Sequence, residues 1–339
     1  MKEYIISTAL NEIFKEYTYA EDFFASIGII PSTTSLTAVD FLNNLADDII
    51  EDCGMERNQI ITQFVAFMEK MNELKLKSNY CVKEISVIGG HDKSGKQEHI
   101  TLTMSPGEII CIVGPTGSGK SRLLADIECL AQKDTPTGRQ LLINGEVPPH
   151  ERRFSIENKL VAQLSQNMNF IMDLSVGDFV AMHAESRMVP NVDEVVYNIA
   201  ACANDLAGEK FTPDTPVTAL SGGQSRALMI ADVALLSTSP IVLIDEIENA
   251  GVDRKKALEL LVKKEKIVLM STHDPTLALM GDKRIVIKNG GINKVLETSH
   301  TERENLQLIY KLDNKLLELR NILRRGGKIE FDLKNFLNI

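Results

Sequence analysis

Apolar positions in the first 78 residues recur at three- and four-residue spacings, the pattern of amphipathic helices. The pattern breaks at residues 31–34, where the run Pro-Ser-Thr-Thr predicts a loop. This segment holds six basic and thirteen acidic residues, a net charge of −7, which is most of the acidity of the chain. The sequence therefore predicts an acidic helical domain over residues 1–81. A solvated helical bundle and an acidic docking module both fit it.

From about residue 82 the pattern changes to short apolar runs that alternate with helical stretches. The strand-like runs are VKEISVI, HITLTM, EIICIVG, RQLLING, KLVAQL, PIVLID, KIVLMST and KRIVIKNG. Such alternation predicts an α/β domain with a largely parallel central sheet, here residues 82–297. Only helical patterns occur between about 170 and 237, which indicates a helical subdomain inserted in this domain.

The last part of the chain, residues 298–339, is predicted to be a helical extension. Its main helix is expected at residues 302–324, with Thr301 as the N-cap and Glu304 three residues later completing a capping box. An apolar stripe runs along this helix and predicts that one face is buried, on the chain's own helical domain or, as the alternative, on a partner surface.

Composition narrows the function classes. The formal net charge of −10 disfavours non-specific nucleic-acid binding, which needs lysine and arginine against phosphates. Five cysteines without a CxxC pair argue against a zinc site or a disulfide scaffold and favour a reduced, cytoplasmic protein. A bilayer span needs about 20 apolar residues, and the run IICIV near the motifs has five. We therefore expect no direct membrane span, so that any membrane role would need a separate chain.

The run GPTGSGKS, residues 114–121, follows the strand-like run EIICIVG and fits the G-x-x-x-x-G-K-[ST] phosphate loop. Its glycines let backbone amides turn towards a polyanion, and the next helix presents its positive N-terminal end to phosphates. In this motif Lys120 reaches the β- and γ-phosphates and Ser121 binds Mg²⁺. The sequence therefore predicts ATP and Mg²⁺ as ligands.

A second motif, IVLIDE at residues 241–246, is an apolar strand that ends in two carboxylates. A buried strand of this kind brings Asp245 beside the metal. Glu246 then lies further out, where it can polarise a water for attack on the γ-phosphate. An ordinary strand with acidic residues at its exit would have the same local sequence.

A third motif, LSGGQ at residues 220–224, lies between the other two and precedes a helical pattern. Two glycines allow the backbone to approach a phosphate, and Ser221 offers a hydroxyl. With the phosphate loop upstream and the acidic strand downstream, residues 82–297 closely resemble the ATP-binding-cassette superfamily. The resemblance implies a P-loop α/β cassette with a helical signature subdomain, here preceded by a small all-α domain.

The resemblance also implies an ATPase whose site is completed by a second cassette. In the family the signature of one cassette covers the ATP held by another, so we expect a dimer, most simply of two copies of this chain. A different cassette chain as the partner is the alternative. Gln166 resembles the family's Q-loop glutamine, which touches Mg²⁺ or the attacking water, with Gln163 as a rival. His273 resembles the switch histidine that contacts the γ-phosphate. The expected nucleotide-binding positions are Gly114, Pro115, Thr116, Gly117, Ser118, Gly119, Lys120, Ser121, Ser221, Gly222, Gly223, Gln224, Asp253 and His91.

Two features depart from the family pattern. The run DEIENAGVDR lacks the proline that usually follows the catalytic glutamate and is one residue longer, which leaves Asp253 as the match to the loop's final aspartate. No aromatic residue stands where the family stacks adenine. His91 takes that position by spacing, and Tyr80 is the alternative.

The motifs predict an ATPase but do not indicate which process its ATP hydrolysis drives. One hypothesis is an ATPase that changes the conformation of a protein partner through the helical domain. The other is the nucleotide-binding subunit of a transporter with a separate membrane permease. A DNA-acting ATPase is disfavoured by the charge and by the lack of a long coiled-coil insertion.

Overall fold

The computed structural model describes residues 2–17, 19–78, 81–154, 159–165, 170–245 and 251–337. The chain divides into two compact units, each described here by itself. The first unit comprises Met1–Cys81, Met168–Thr238 and Gly251–Asp253, and the second comprises Val82–Asn167, Ser239–Ala250 and Arg254–Ile339. The domain boundaries expected from sequence, 1–81, 82–297 and 298–339, stay predictions.

Helices and strands occupy most of the described chain. The helices are α1 (Lys2–Ser7), α2 (Leu10–Glu16), α3 (Tyr19–Ser26), α4 (Ala38–Asn44), α5 (Asp47–Asp52), α6 (Arg57–Ser78), α7 (Lys120–Glu128), α8 (His150–Phe154), α9 (Val176–Ser186), α10 (Val192–Leu206), α11 (Gly222–Leu235), α12 (Arg254–Lys263), α13 (Pro275–Met280), α14 (His300–Arg324) and α15 (Leu333–Leu337). The strands are β1 (Ile85–Ile88), β2 (Thr101–Met104), β3 (Ile109–Val113), β4 (Gln140–Ile143), β5 (Val161–Leu164), β6 (Ile241–Asp245), β7 (Ile267–Ser271), β8 (Lys283–Lys288) and β9 (Gly291–Glu297).

The N-terminal helices pack around aromatic side chains. The ring centroid of Phe24 lies 4.9 Å from that of Phe64 and 6.0 Å from that of Phe41, and all three side chains are buried. The first helical pattern is split into α1 and α2, because Ala9 forms an antiparallel bridge with Thr37. Met188, in the turn after α9, packs against this same core.

The second unit contains two sheets. The larger has the order β5-β6-β7-β3-β8-β9, parallel except for the antiparallel β8–β9 pair. The smaller is antiparallel with the order β2-β1-β4. The predicted α/β fold with its helical subdomain and all-α N-terminal region is confirmed. The prediction missed β9, which pairs with β8 across the turn at Asn289 and Gly290.

The C-terminal helix begins two residues earlier than expected, and the predicted N-cap at Thr301 is wrong. Ser299 is the N-cap. Its Oγ accepts the N–H of Glu302 at 3.3 Å, and its own N–H donates to the Glu302 carboxylate at 2.9 Å. Both Ser299–Glu302 and Thr301–Glu304 fit the capping-box spacing, but the Glu302 carboxylate is also paired with Arg284 of β8. That tertiary contact favours the earlier start.

Within the described residues, every helix is too short or too polar to cross a bilayer.

Candidate functional site

Strand order in the larger sheet brings three of the predicted motifs to one edge. The strands β5, β6, β7 and β3 are parallel neighbours, so their carboxyl ends share that edge. The phosphate loop follows β3, Asp245 ends β6, and His273 lies two residues beyond β7. Gln166 follows β5 in sequence and Glu246 follows β6, but both lie outside the described residues, as does Tyr80.

The phosphate loop turns sharply between β3 and α7, and two of its glycines are required by geometry. Gly119 is the N-cap of α7 with φ +109°, a left-handed conformation that favours glycine. A Cβ on Gly114 would lie 2.6 Å from the carbonyl oxygen of Ile287. The Lys120 ammonium donates to Gly114 O at 2.9 Å and lies 2.9 Å from His273 Nε2. Lys120 and His273 are 153 residues apart in the sequence and are direct neighbours in the structure.

A cleft of about 210 Å³ opens beside the phosphate loop. It is smaller than the range of about 300–1,000 Å³ usual for a whole small-molecule pocket. One buried hydroxyl that lines the cleft, Ser271 Oγ, has no hydrogen-bond partner among the described residues. The cleft thus offers hydrogen-bond donors for an anion. Its lining residues are Thr116, Gly117, Gly119, Lys120, Ser121, Arg122, Ser271 and His273.

The rival glutamine of β5 has a partner of its own. With its amide oriented to donate, Gln163 lies 2.9 Å from a carboxylate oxygen of Glu128, at the end of α7. Asp245 lies opposite Ser271 in the register of β6 and β7. A hydroxyl at Ser121 and a carboxylate at Asp245 are ligands of the type that Mg²⁺ prefers.

The phosphate loop is supported from below by the turn between β8 and β9, which the sequence analysis missed. The Gly290 N–H donates to Ser118 O at 2.6 Å. A Cβ on Gly119 would lie 2.8 Å from Gly290 Cα, so the two backbones are in close contact. The Asn289–Gly290 pair between two apolar runs is a strong hairpin signal and could have revealed this turn.

A second missed residue, Lys93, contacts the phosphate loop from the segment between β1 and β2. Its ammonium donates to Gly117 O at 3.0 Å. The N–H of Lys93 donates to Asn289 O at 2.9 Å, so the same turn holds this segment. No sequence signal marks Lys93, because it lies 24 residues before Gly117 and belongs to no motif.

A buried ion cluster stabilises these supporting segments. The Arg139 guanidinium donates to Glu98 at 2.6 Å, to Asp126 of α7 at 2.9 Å and to Gly290 O at 2.8 Å. Arg139 and Asp126 are fully buried, and Glu98 is nearly so. Burial alone would raise the pKa of Glu98, but the Arg139 guanidinium and the N–H groups of Ile292 and Gly90 outweigh it and lower that pKa.

His91 lies in the same segment as Lys93. Its N–H donates to Thr137 O at 2.8 Å, and its backbone forms an antiparallel bridge with Gln97. The imidazole is exposed, with Nδ1 3.3 Å from Asp92 O. An exposed imidazole is accessible to a base, and the role of His91 at adenine stays a prediction.

The signature motif begins α11 in the first unit. Ser221 is the N-cap: its Oγ accepts the N–H of Gln224, whose side chain accepts the Ser221 N–H in return. Ser221 and Gly222 are exposed, and no atom lies within 4 Å of the position a Cβ on Gly222 would take. The helix therefore presents an open N-terminal end, where an anion is favourable.

Asp253 lies near this motif. Its N–H donates to Leu206 O at 2.9 Å, and its neighbour Val252 bridges Ala207. A Cβ on Gly251 would lie 3.5 Å from Gly223 Cα. The end of the DEIENAGVDR run therefore packs beside the signature of its own chain.

Comparisons with known proteins agree with this arrangement. A protein-family model described as ABC transporter matches residues 97–249. An uncharacterized ABC transporter ATP-binding protein of Methanocaldococcus jannaschii is 53% identical over 249 residues, which are 73% of this chain and 95% of that protein.

One more distant relative is a larger protein. ABC transporter G family member 4 of Arabidopsis thaliana is 28% identical over 204 residues, 57% of this chain and 34% of that protein. The chain thus spans about a third of that relative. Among solved structures, cbiO1 of Clostridium perfringens, part of an ABC transporter complex, superposes with a TM-score of 0.52 at 21% identity, covering 72% of this chain and 100% of cbiO1. That likeness supports the fold.

Proposed function

This chain belongs to the family of ABC transporter ATP-binding cassettes and is an ATPase, and on that premise we propose that two copies of it close around two molecules of Mg-ATP and hydrolyse them. One observation carries the proposal. The phosphate loop and the signature each lie at the N-terminus of a helix, and they belong to different units of the chain. The cleft beside the phosphate loop would hold one side of the nucleotide, and the signature of a second copy would cover the other side.

The phosphate loop, residues 114–121, would bind the triphosphate. The N-terminus of α7, which begins at Lys120, suits an anion. We assign the β- and γ-phosphates to Lys120, which would exchange its contact with His273 for phosphate oxygens. We assign Mg²⁺ to Ser121, Asp245 and Gln166, because hydroxyl, carboxylate and amide oxygens are its usual protein ligands. His91 would stack on adenine.

Hydrolysis requires a base and a contact to the γ-phosphate. We assign the base to Glu246, which directly follows Asp245, and the γ-phosphate contact to His273. Mg²⁺ supplies charge neutralisation at the phosphates when bound. From the second copy, Ser221, Gly222, Gly223 and Gln224 would approach the γ-phosphate, and Asp253 would lie at the contact between copies.

A two-fold dimer completes two identical sites at once. ADP lacks the γ-phosphate that both copies would share, so closure should depend on which nucleotide is bound. The test uses sedimentation of the full chain carrying Glu246→Gln, which should bind ATP without hydrolysing it. We expect a monomer-to-dimer shift with Mg-ATP and little shift with Mg-ADP.

Matched variants locate the contact. Ser221→Arg places bulk and charge at the proposed interface and should block the shift while each copy still binds ATP. Ser186→Arg, at an exposed position of α9 in the same unit, should dimerise normally. The measurement is made at a chain concentration on the order of tens of micromolar. If the chain binds ATP but stays monomeric there, a dimer of two copies is excluded.

The work that ATP drives has two candidates. The acidic N-terminal helices share a core with Met188 of the helical subdomain, which favours a protein partner that docks on these helices and is moved by the cassette. The transporter names of the relatives favour a separate membrane permease. In either case we expect the chain in the cytoplasm and do not expect it to bind nucleic acid. Purifying the trapped Glu246→Gln chain from membrane and soluble fractions of its native cell would distinguish a permease from a soluble partner.

A further inference from the structure

We propose that Lys93 is a positioning residue of the nucleotide site: its ammonium holds the tip of the phosphate loop and adds a second positive charge for the phosphates of both ATP and ADP. The inference rests on the proposed function, because it concerns the same nucleotide. It assigns a role to a residue outside the three motifs.

The contact is with the tip of the loop. Gly117 has φ +78° and occupies the third position of a turn that the Ser118 N–H closes on Pro115 O at 3.1 Å. The Lys93 ammonium donates to the carbonyl of Gly117 at 3.0 Å. Gly117 also lines the cleft. The cation is therefore one hydrogen bond away from a residue that faces the ligand.

The segment that carries Lys93 is held in place by hydrogen bonds. Asp92 Oδ1 accepts the N–H groups of Ser94 at 2.8 Å and Lys96 at 3.0 Å, which closes a tight turn around Lys93. These N–H groups, that of Lys96 foremost, lower the pKa of Asp92. Asn289 Nδ2 donates to Asp92 Oδ2 at 3.2 Å. The segment is thereby tied to the β8–β9 turn.

The stem of Lys93 is also held. A Cβ on Gly290 would lie 2.8 Å from Lys93 Cγ, so the aliphatic chain passes directly over Gly290. The N–H of the same Gly290 binds Ser118 O. Lys93 and Gly290 thus grip two consecutive carbonyls of the phosphate loop, those of Gly117 and Ser118.

Two ammonium groups therefore contact different parts of the loop. Lys120 donates to the carbonyl of Gly114 at the start of the loop, and Lys93 donates to Gly117 at its tip. ATP and ADP are both polyanions, so the charge of Lys93 favours both. It has no assigned part in the attack on the γ-phosphate. Its loss should weaken nucleotide binding and leave the chemical step unchanged.

The test is calorimetric titration of the full chain with ADP, and with ATP in the Glu246→Gln background. For Lys93→Ala at about 50 mM salt we expect affinity for both nucleotides to fall about fivefold, the scale of one exposed charge near a polyanion. Raising salt to about 1 M should reduce the loss to under about twofold, because exposed charges are then screened. In the otherwise wild-type chain, kcat should stay within about twofold while KM rises.

Two controls separate this role from a general one. Lys93→Arg keeps a cation and should restore most of the affinity. Lys96→Ala removes a charge from the same exposed turn and should bind nucleotide as the wild type does. Thermal unfolding without nucleotide shows whether each variant is folded. If Lys93→Ala is unstable, Lys93→Gln replaces it, because glutamine keeps an uncharged polar group at the end of its side chain.

Each outcome decides. A folded Lys93→Ala or Lys93→Gln variant with unchanged affinity overturns the inference. Equal losses in Lys93→Ala and Lys96→Ala overturn it as well, because the effect would be that of net charge. If the wild-type chain binds neither ATP nor ADP, the proposed function fails instead. A loss specific to Lys93 that salt abolishes and arginine rescues supports it.

Discussion

The Lys120 ammonium lies 2.9 Å from His273 Nε2. A lysine ammonium can only donate, so Nε2 accepts in this contact. The two residues follow different strands, β3 and β7, which are neighbours in the sheet. A γ-phosphate that draws Lys120 to itself would release His273 Nε2 for a contact of its own. On the proposed function, the pair would link occupation of the phosphate loop to the position of the histidine.

His273→Ala should separate hydrolysis from binding. We expect turnover to fall about 100-fold, the scale of a lost catalytic contact. Affinity for ATP should change less than about threefold, because Lys120 keeps its place at Gly114 O. Phosphate release and calorimetric titration measure the two quantities. Lys120→Ala is the comparison and should lower affinity itself. Unimpaired turnover in His273→Ala would remove the histidine from its assigned role.

Gly119→Ala should damage the phosphate loop through contact as well as backbone strain. A Cβ would meet Gly290 Cα at 2.8 Å, and φ is +109°. Strain alone costs about 1 kcal/mol, and forced overlap in a packed region adds about 1–3 kcal/mol. Gly145→Ala is the matched control, since its φ is +79° and nothing lies within 4 Å. Urea unfolding should give Gly119→Ala a much lower free energy of unfolding than Gly145→Ala. Equal free energies of unfolding would contradict the close contact.

Arg139→Met should strongly destabilise the second unit. It leaves the Glu98 and Asp126 carboxylates buried without their cation, which typically costs about 3–5 kcal/mol. In the wild type the pKa of Glu98 is lowered, so its stabilising effect is present near neutral pH and is lost as pH falls through the folded pKa. The difference in free energy of unfolding between the wild type and Arg139→Met should therefore become smaller at acidic pH. Arg320→Met, at an exposed position of α14, should unfold as the wild type does.

Lys266 should give the chain an alkaline rise in stability. Burial, and the neighbouring charge of Lys264, lower the pKa of this side chain to about 8 from a usual 10.5. The unfolded chain therefore binds more protons between these values, and the free energy of unfolding rises with pH across that window. The full effect is at most about 3 kcal/mol. Urea unfolding from pH 7 to 10.5 should show this rise in the wild type and in Lys263→Met, and a flatter curve in Lys266→Met. Identical slopes in all three would contradict it.

The local motifs were predictable because their conformations depend on contiguous residues. A strand, a glycine turn and a helix N-terminus follow one another from Ile109 to Glu128, and sequence order alone places Lys120 at the helix start. The capping box at Ser221 and Gln224 is equally local. Alternating strands and helices then predict the parallel sheet, since apolar periodicity reports the burial of each element.

The supports of the site depend instead on which elements become neighbours. Gly290 reaches Ser118, and Lys93 reaches Gly117, because β8 pairs with β3 and the β8–β9 turn is thereby brought beneath the phosphate loop. The choice of Ser299 over Thr301 as N-cap has the same origin, since both spacings are allowed locally and Arg284 selects Glu302. Where the backbone conformation of a motif depends only on its own contiguous residues, the structure of that motif could be predicted from the sequence. Contacts between distant segments were decided by the strand order, because a hydrogen bond or ion pair forms only after the sheet has brought its partners together.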